Sequence, residues 1–300
     1  MNSTIPKVAA IVVNWNGRDL LREALASLFN SDCDNLSVIV VDNGSSDGSA
    51  ALVRDEFPKA TLISNDRNLG FAAGNNQGFE RALALGAKYV FILNNDAIVH
   101  SSTISRLVSF LESRPQAWAV SPYIFYYHQR DLIWFGGARV NLRWGWIAHR
   151  HIRRRFNPAI HLAAECDYLT GCACLLRAEA VTALGGFNLE YGLYSEDVDL
   201  CLRLRKRGGE LWVEPAAQAW HRVSASSGGE LTPRKAFYKA RSNALLLRRY
   251  SSLNQWPTML AGLVLANLGV TLRLLAHGRF NSVIGLWRGL GGGIVPRKDT

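Results

Sequence analysis

Apolar residues recur along the first hundred positions in two alternating rhythms. Short unbroken runs at Val8–Val13, Val38–Val41, Thr61–Ser64 and Tyr89–Leu93 have the length and β-branched content of strands buried on both faces. Between them the spacing changes to helical. Leu20, Leu21, Ala24, Leu25 and Leu28 predict a helix over Gly17–Phe29, and Ile104, Leu107, Val108 and Leu111 predict another over Thr103–Leu111. Ser46–Phe57 reads as a helix with Ser46 or Asp47 as N-cap and Pro58 as its stop. Phe71–Leu85 reads as one closed by Gly86. Alternating elements of this length predict an α/β domain whose mostly parallel sheet is wrapped by helices. Right-handed crossovers then bring the carboxyl ends of these strands to one edge.

That edge is rich in hydrogen-bonding side chains. The four runs exit into Asn14-Trp15-Asn16, Asp42-Asn43-Gly44, Asn65-Asp66 and Asn94-Asn95-Asp96. Ordinary turn chemistry accounts for any one of these exits. All four together point to the ligand-binding edge of an open α/β sheet.

The second half of the chain is less regular. Residues 112–165 are rich in Trp and Arg, among them Trp134, Trp144, Trp146, Arg143, Arg150 and Arg153. They predict a mixed antiparallel extension with a mobile basic loop. Such a stretch suits an acceptor, a lipid headgroup or single-stranded nucleic acid, or is simply a solvated surface. A short helix is expected over 178–185, a further helix over Glu196–Lys206 and a last strand over Glu210–Val213. Residues 235–250 predict a basic amphipathic helix. Pro257–Leu272 is an uncharged run of sixteen, shorter than the ~20 apolar residues of a spanning helix. It also contains Asn267 and two glycines, which favours an in-plane or partly buried helix.

Composition narrows the field. The 300 residues are 48% hydrophobic and 19% charged, enough to bury a core and unlike a disordered chain. Lys and Arg outnumber Asp and Glu by 34 to 24, a formal +10, which implies an anionic partner: nucleic acid, phospholipid or a phosphorylated small molecule. Five cysteines without a CxxC pair suit buried thiols in a reducing compartment. Met1–Lys7 lacks the pattern of a signal peptide, so a cytoplasmic location is expected.

Four places carry candidate chemistry. Asp96, just past a buried strand, is placed to face a divalent cation bridging two phosphates, or is a turn residue. Ser195-Glu196-Asp197-Val198-Asp199 opens a helix, where acids are stabilising at the N-terminus. Three acids in four positions exceed that need. An Asp199–Arg203 pair at i,i+4 would leave Glu196 and Asp197 for the cleft, where a carboxylate suits a general base. His221, after the last strand, is a second metal ligand or a structural histidine. Asn68-Leu69-Gly70, leading to Gly74-Asn75-Asn76, is a Gly- and Asn-rich helix entry able to offer free N–H groups to phosphate.

These blocks, in this order, resemble the inverting family 2 glycosyltransferases of the GT-A fold, and the likeness spans residues 8–225. It rests on Ile11 to Gly17, Val40 to Gly48, Asn68 to Asn76, Asn94-Asn95-Asp96, Tyr194 to Arg203, and His221. The style is that of the rhamnosyltransferase-like branch that builds bacterial surface polysaccharides. Arg241-Ser242-Asn243 before the apolar run fits that branch too.

The resemblance implies a catalytic domain over 1–228 and a helical, membrane-associating extension over 229–300. It implies a nucleoside-diphosphate-sugar donor, dTDP- or UDP-linked, contacted by Asn14, Asn16, Asp42, Asn68, Gly70, Asn75, Asn94 and Asn95. It implies Mg²⁺ or Mn²⁺ on Asp96 and His221, with Asn94 standing where the family's DxD motif has its first acid. Asp197 takes the place of the catalytic base, with Glu196 beside it. A glycan or lipid-linked acceptor and an anionic membrane surface are the expected partners, nucleic acid is not, and the place of work is the inner face of the cell membrane. Nucleotidyl transfer on a related fold and a basic nucleic-acid binder are the competing readings. The second leaves Asp96, Glu196 and Asp197 unexplained.

Overall fold

The computed structural model describes residues 6–223 and 231–294. The expected boundary at 228/229 lies outside the described residues. The first hundred residues follow the predicted alternation: β1 (Val8–Asn14), α1 (Arg18–Phe29), β2 (Leu36–Asp42), α2 (Ser49–Glu56), β3 (Thr61–Ser64), α3 (Phe71–Ala84) and β4 (Tyr89–Asn94). β5 (Ala97–Val99) and α4 (Thr103–Glu112) follow. β1 pairs in parallel with both β2 and β4, and β2 with β3. In that register Asn14 lies level with Asp42, and Val13 with Asn94. Leu21, Leu25 and Leu28 of α1 are fully buried, each contributing about 1.5–3 kcal/mol.

The capping of α2 differs from expectation. The helix starts at Ser49 behind a left-handed Gly48. Asp47 is drawn back instead: its Oδ1 accepts from the Ser49 N–H at 3.0 Å, and its Oδ2 from the Arg18 N–H at 2.9 Å. It thus satisfies the first N–H of α2 from one residue before Gly48 and ties two loops of the edge together.

Residues 112–165 form the expected antiparallel extension, with β-structure also where a basic loop was expected. They hold β6 (Ala117–Tyr126), β7 (Gln129–Phe135), β8 (Ala138–Asn141), β9 (Trp146–His149) and β10 (Ala164–Glu165), with β8 and β9 forming a separate antiparallel ribbon. β11 (Ala173–Arg177), α5 (Ala178–Leu184), α6 (Glu196–Lys206) and β12 (Glu210–His221) complete the domain. The sheet order is β10-β12-β6-β11-β4-β1-β2-β3. β11 is antiparallel to both neighbours, and β12 runs parallel to β6. The sheet is mixed, with a parallel half.

β12 is three times the predicted length. Pro215 has no N–H for a ladder, which reads as a strand end in sequence. Here it falls within a register irregularity between Glu214 and Gln218, and the strand resumes beyond it as far as His221. The bulge is what carries His221 to the carboxyl edge of the sheet.

α7 (Pro233–Tyr250), α8 (Trp256–Ala276) and α9 (Phe280–Ile294) form a second layer with its own core of Ala236, Ala240, Ala244, Leu247, Met259 and Leu286. α9 approaches α7 so closely that a Cβ at Gly289 would stand 2.1 Å from the Phe237 carbonyl oxygen. α8 is longer than the apolar run suggests and, by length and composition alone, long enough to cross a bilayer. Leu265 and Leu272 on it are each more than 60% exposed.

Candidate active site

The parallel strands deliver Asn14, Asp42 and Asn95 to one edge, where they are locked together. Asn14 Nδ2 donates to Asp42 Oδ1 (3.1 Å), and Asn95 Nδ2 donates to Asn14 Oδ1 (2.7 Å). Ser45 closes the group, its N–H donating to Asp42 Oδ2 (3.0 Å) and its hydroxyl to Asp42 Oδ1 (2.6 Å). Asn16 is tied to the same hub: its N–H donates to Ser45 Oγ at 2.9 Å, and its Oδ1 accepts from the Ser46 N–H at 2.8 Å. Asn14, Asp42, Asn95 and Asp96 are all buried. Close packing demands the neighbouring glycine, because a Cβ on Gly17 would sit 2.4 Å from Asn95 Nδ2.

Asn68 shapes the next loop, its Oδ1 accepting from the Gly70 N–H at 2.8 Å. Asn43 Nδ2 reaches the Gly70 carbonyl at 3.1 Å, which joins that loop to the β2 exit. Asn75 does not face solvent. It is fully buried in α3, with Nδ2 donating one turn back to the Phe71 carbonyl. Asn94 ends β4, and its N–H donates to the Cys172 carbonyl at 2.8 Å.

Asp96 and His221, 125 positions apart, meet directly. His221 Nε2 lies 3.0 Å from Asp96 Oδ1, and both side chains are almost wholly buried. Trp134 packs edge-on against the imidazole at 4.5 Å between ring centres, and His221 Nδ1 is buried without a hydrogen-bond partner. An octahedral divalent cation with ligands at about 2.1 Å has neighbouring ligands about 3 Å apart. The pair therefore matches one edge of such a coordination shell. Among the described residues no group of three or more acidic, His or Cys side chains is placed to hold an ion. An ion held there would take its further ligands from water or substrate oxygens, the usual habit of Mg²⁺ on phosphates.

The acid pair sits at the start of α6. Tyr194 and Ser195, just before it, adopt left-handed backbone at φ 67° and 65°, a conformation that costs non-glycine residues energy and gathers at functional sites. Asp197 Oδ2 accepts from the Gly171 N–H (3.0 Å) and its Oδ1 from the Val198 N–H (2.8 Å). Gly171 adjoins Cys172, whose carbonyl binds Asn94, so one short segment links the acid pair to the β4 exit. Glu196 is buried, and its Oε2 has no hydrogen-bond partner. Burial pushes both carboxyls above their ordinary range, and the neighbouring Asp197 charge pushes Glu196 further. The two backbone N–H groups hold Asp197 back. Asp197 is the member of the pair held by backbone N–H groups, and Glu196 is the one with a buried, unbonded oxygen.

The expected Asp199–Arg203 pair is present at 2.7 Å, on the other side of the helix. Asp199 is fully buried and also accepts from Tyr191 Oη (3.0 Å) and Tyr250 Oη (2.8 Å). Tyr250 belongs to α7, so the C-terminal layer grips the helix that presents the acids. Ser242, also of α7, donates to the carbonyls of Leu193 (2.7 Å) and Tyr191 (3.1 Å).

From sequence, no site role fell to Ser45, Gly171, Trp134 or Tyr250, although Ser45 and Trp134 lie in segments singled out there. Ser45 had a local signal in Asp42-Asn43-Gly44-Ser45. The other three become visible only once distant segments meet. A cavity of about 210 Å³ lies elsewhere, between Arg139, Arg150, Glu165, Asp167 and Arg205 near the far end of α6. Arg205 there is already paired with Asp167 and Glu165.

A parallel-edged sheet that places a carboxylate–imidazole pair and a raised acid pair around Asn-rich strand exits defines an enzyme of the GT-A type. Residues 9–185 match the model of glycosyl transferase family 2, and the chain belongs to that family. It is a glycosyltransferase. It is 26% identical over 273 residues to the N-acetylglucosaminyl-diphospho-decaprenol L-rhamnosyltransferase of Mycobacterium tuberculosis, covering 84% of this chain and 86% of the relative. It is 24% identical to the rhamnosyltransferase WbbL of Escherichia coli K12, covering 71% and 83% respectively. Among solved structures, the mannosyltransferase PcManGT from Pyrobaculum calidifontis, in complex with GDP-Man and Mn²⁺, superposes with a TM-score of 0.63. The match covers 99% of this chain and 89% of that one at 18% identity.

Proposed function

We propose that the protein is an inverting, metal-dependent glycosyltransferase. It moves a sugar, with rhamnose the leading candidate, from a dTDP- or UDP-linked donor to a hydroxyl of a glycan or lipid-linked acceptor in surface-polysaccharide synthesis. The observation that carries this reading is the contact between Asp96 and His221 at the sheet edge that also holds Asn14 and Asp42. The rhamnosyl and decaprenyl-diphosphate wording of the relatives supports the sugar and the acceptor class. The Mn²⁺ of the structural neighbour supports the cation.

In this reading the Asn14–Asp42–Ser45 hub and the Asn68–Gly70 loop hold the nucleotide, with Asn16, Asn94 and Asn95 lining the same edge. Asn75 serves from beneath, by fixing the start of α3 that carries that loop. Asp96 and His221 hold Mg²⁺ or Mn²⁺, which when bound neutralises the leaving diphosphate. Asp197 takes the proton of the acceptor hydroxyl as that oxygen attacks the anomeric carbon, and the bond to the diphosphate breaks on the opposite face. One displacement inverts the configuration. Residues 1–228 form the catalytic unit and 229–300 the extension. The exposed apolar face of α8 and the +10 charge suit attachment to the anionic inner face of the cell membrane.

A panel of nucleotide-sugars, screened for thermal stabilisation with and without Mn²⁺ and then for sugar transfer, tests the reading. Metal-dependent stabilisation by one donor, with release of a nucleoside diphosphate, is expected. Release of pyrophosphate from a nucleoside triphosphate would replace this reading with nucleotidyl transfer.

A further inference from the structure

The chain enters α6 by an uncommon route. An ordinary N-cap residue has extended backbone and a side chain that accepts from the first free N–H groups of the helix. Ser195 stands at that position with φ 65°, and its side chain makes no capping bond. Gly192 and Tyr194 before it are left-handed as well, at φ 73° and 67°. Glycine takes this conformation freely, whereas Tyr194 and Ser195 hold it against steric resistance. Such backbone persists only where surrounding groups over-determine it.

Those groups come from α7. Ser242 is fully buried, and its hydroxyl oxygen lies 2.7 Å from the Leu193 carbonyl and 3.1 Å from the Tyr191 carbonyl, so one O–H is shared between the two carbonyls that flank Gly192. A hydroxyl on a helix ordinarily bonds back into its own helix. Ser27, Ser109, Thr182 and Thr271 each do so, three or four residues back. Ser242 instead donates outwards, into the turn. Arg241 beside it donates to the carbonyls of Glu190 (3.2 Å) and Tyr191 (3.4 Å). One helical turn further on, the Asp199 N–H donates to the Ser195 carbonyl at 2.9 Å, and the Asp199 carboxylate accepts from Tyr191 and from Tyr250 of α7. Segment 190–199 is thus held from α7 on both sides of Glu196 and Asp197. The same turn abuts the donor-side loop, with the Gly192 carbonyl oxygen 3.6 Å from where a Cβ on Gly70 would stand.

We propose that Ser242 is a positioning residue for sugar transfer. Its shared hydroxyl pins the left-handed turn over 192–195 and thereby fixes where Glu196 and Asp197 stand relative to the donor-side loop. The proposal rests on the reading of Asp197 as the base, and it gives Arg241-Ser242-Asn243 a task at the active site. Without the hydroxyl the turn relaxes toward ordinary cap backbone. The first turn of α6 then moves with it, because the Ser195 carbonyl accepts the first bond of that helix. The bonds that build the Asn14–Asp42–Ser45 hub do not involve this turn, so nucleotide binding there is spared.

The test compares the full-length wild type with Ser242→Ala, Ser195→Gly and the double variant. Amide hydrogen exchange over residues 193–198 should be about tenfold faster in Ser242→Ala, the change expected for one lost hydrogen bond, with exchange in β1 and β2 unaltered. Turnover of dTDP-rhamnose, followed as dTDP release in Mn²⁺, should fall about tenfold, while dTDP affinity measured by calorimetry stays within about twofold. Adding Ser195→Gly should return most of the lost turnover, since glycine holds left-handed backbone without strain. A serine that only packs α7 would show no such rescue. Unchanged exchange in Ser242→Ala overturns the proposal, as do equal losses of turnover and dTDP affinity, or a turnover loss that Ser195→Gly does not relieve. A wild type that turns over no nucleotide-sugar would sink the glycosyl-transfer reading, and the exchange result would still decide whether Ser242 pins the turn.

Discussion

The two halves of the site are built in opposite ways. At the exits of β1 and β2 the side chains are tied together: Asp42 alone accepts from Asn14 and twice from Ser45. At the head of α6, Glu196 Oε2 is buried without a bond, the preceding backbone is left-handed at two residues, and both carboxyls are raised. A saturated network gives a rigid surface of fixed shape, which suits recognition. An under-bonded acid pair stores electrostatic cost, which suits proton handling at neutral pH. In the proposed reading, binding and chemistry are separated along this edge, with Gly171-Cys172 as the short bridge between them.

The sharpest way to break that contrast is Asp197→Asn. It should lower turnover by about 10²–10⁴-fold while donor affinity stays within about twofold, read by steady-state kinetics beside titration. Near-normal turnover would remove Asp197 as the base. Asp96→Ala belongs to the binding half and should weaken nucleoside diphosphate binding in Mn²⁺ by at least tenfold. Unchanged affinity would mean that the Asp96–His221 pair holds no cation.

Tyr250→Phe probes the grip of α7 on α6. Removing one donor from buried Asp199 should cost about 1–3 kcal/mol and lower the melting temperature by several degrees. Turnover should fall with nucleotide affinity unchanged, since the nucleotide half does not depend on α6. An equal loss in both would merge the two halves into one.

The smallest effect concerns pH. Glu196 holds its proton more tightly in the folded chain than in the unfolded one, so its contribution to stability is fully present below the ordinary glutamate range. It is lost as pH rises through the raised folded value. Chemical denaturation should show Glu196→Gln gaining on the wild type as pH goes from 5 to 8. A constant gap between the two would argue that Glu196 is not buried as described.

Much of the fold was legible because short apolar runs and helical spacing are local properties. β3 and α6 fall at their predicted residues, and the parallel strands around β1 follow from the alternation. What failed was also local in origin. Pro215 hid the upper half of β12. The antiparallel extension over 112–165 was expected, but the bounds of its strands were not, and β8 and β9 leave little periodicity because both faces of that ribbon are partly exposed. In the site, Asn14, Asp42, Asp96 and Asp197 stood out as acids and amides at element ends. Trp134, Gly171 and Tyr250 did not, since nothing near them in sequence marks them.

The chain by itself determined which residues lie at the carboxyl edge, because strand length and crossover handedness follow from pattern and chirality. Only the tertiary structure decided which of them touch. His221 meets Asp96 through a bulge that no periodicity reports, and α7 reaches the acid helix across fifty residues. Contact between distant segments is set by packing and by the need to satisfy buried polar groups. Both are properties of the assembled fold rather than of any stretch of sequence.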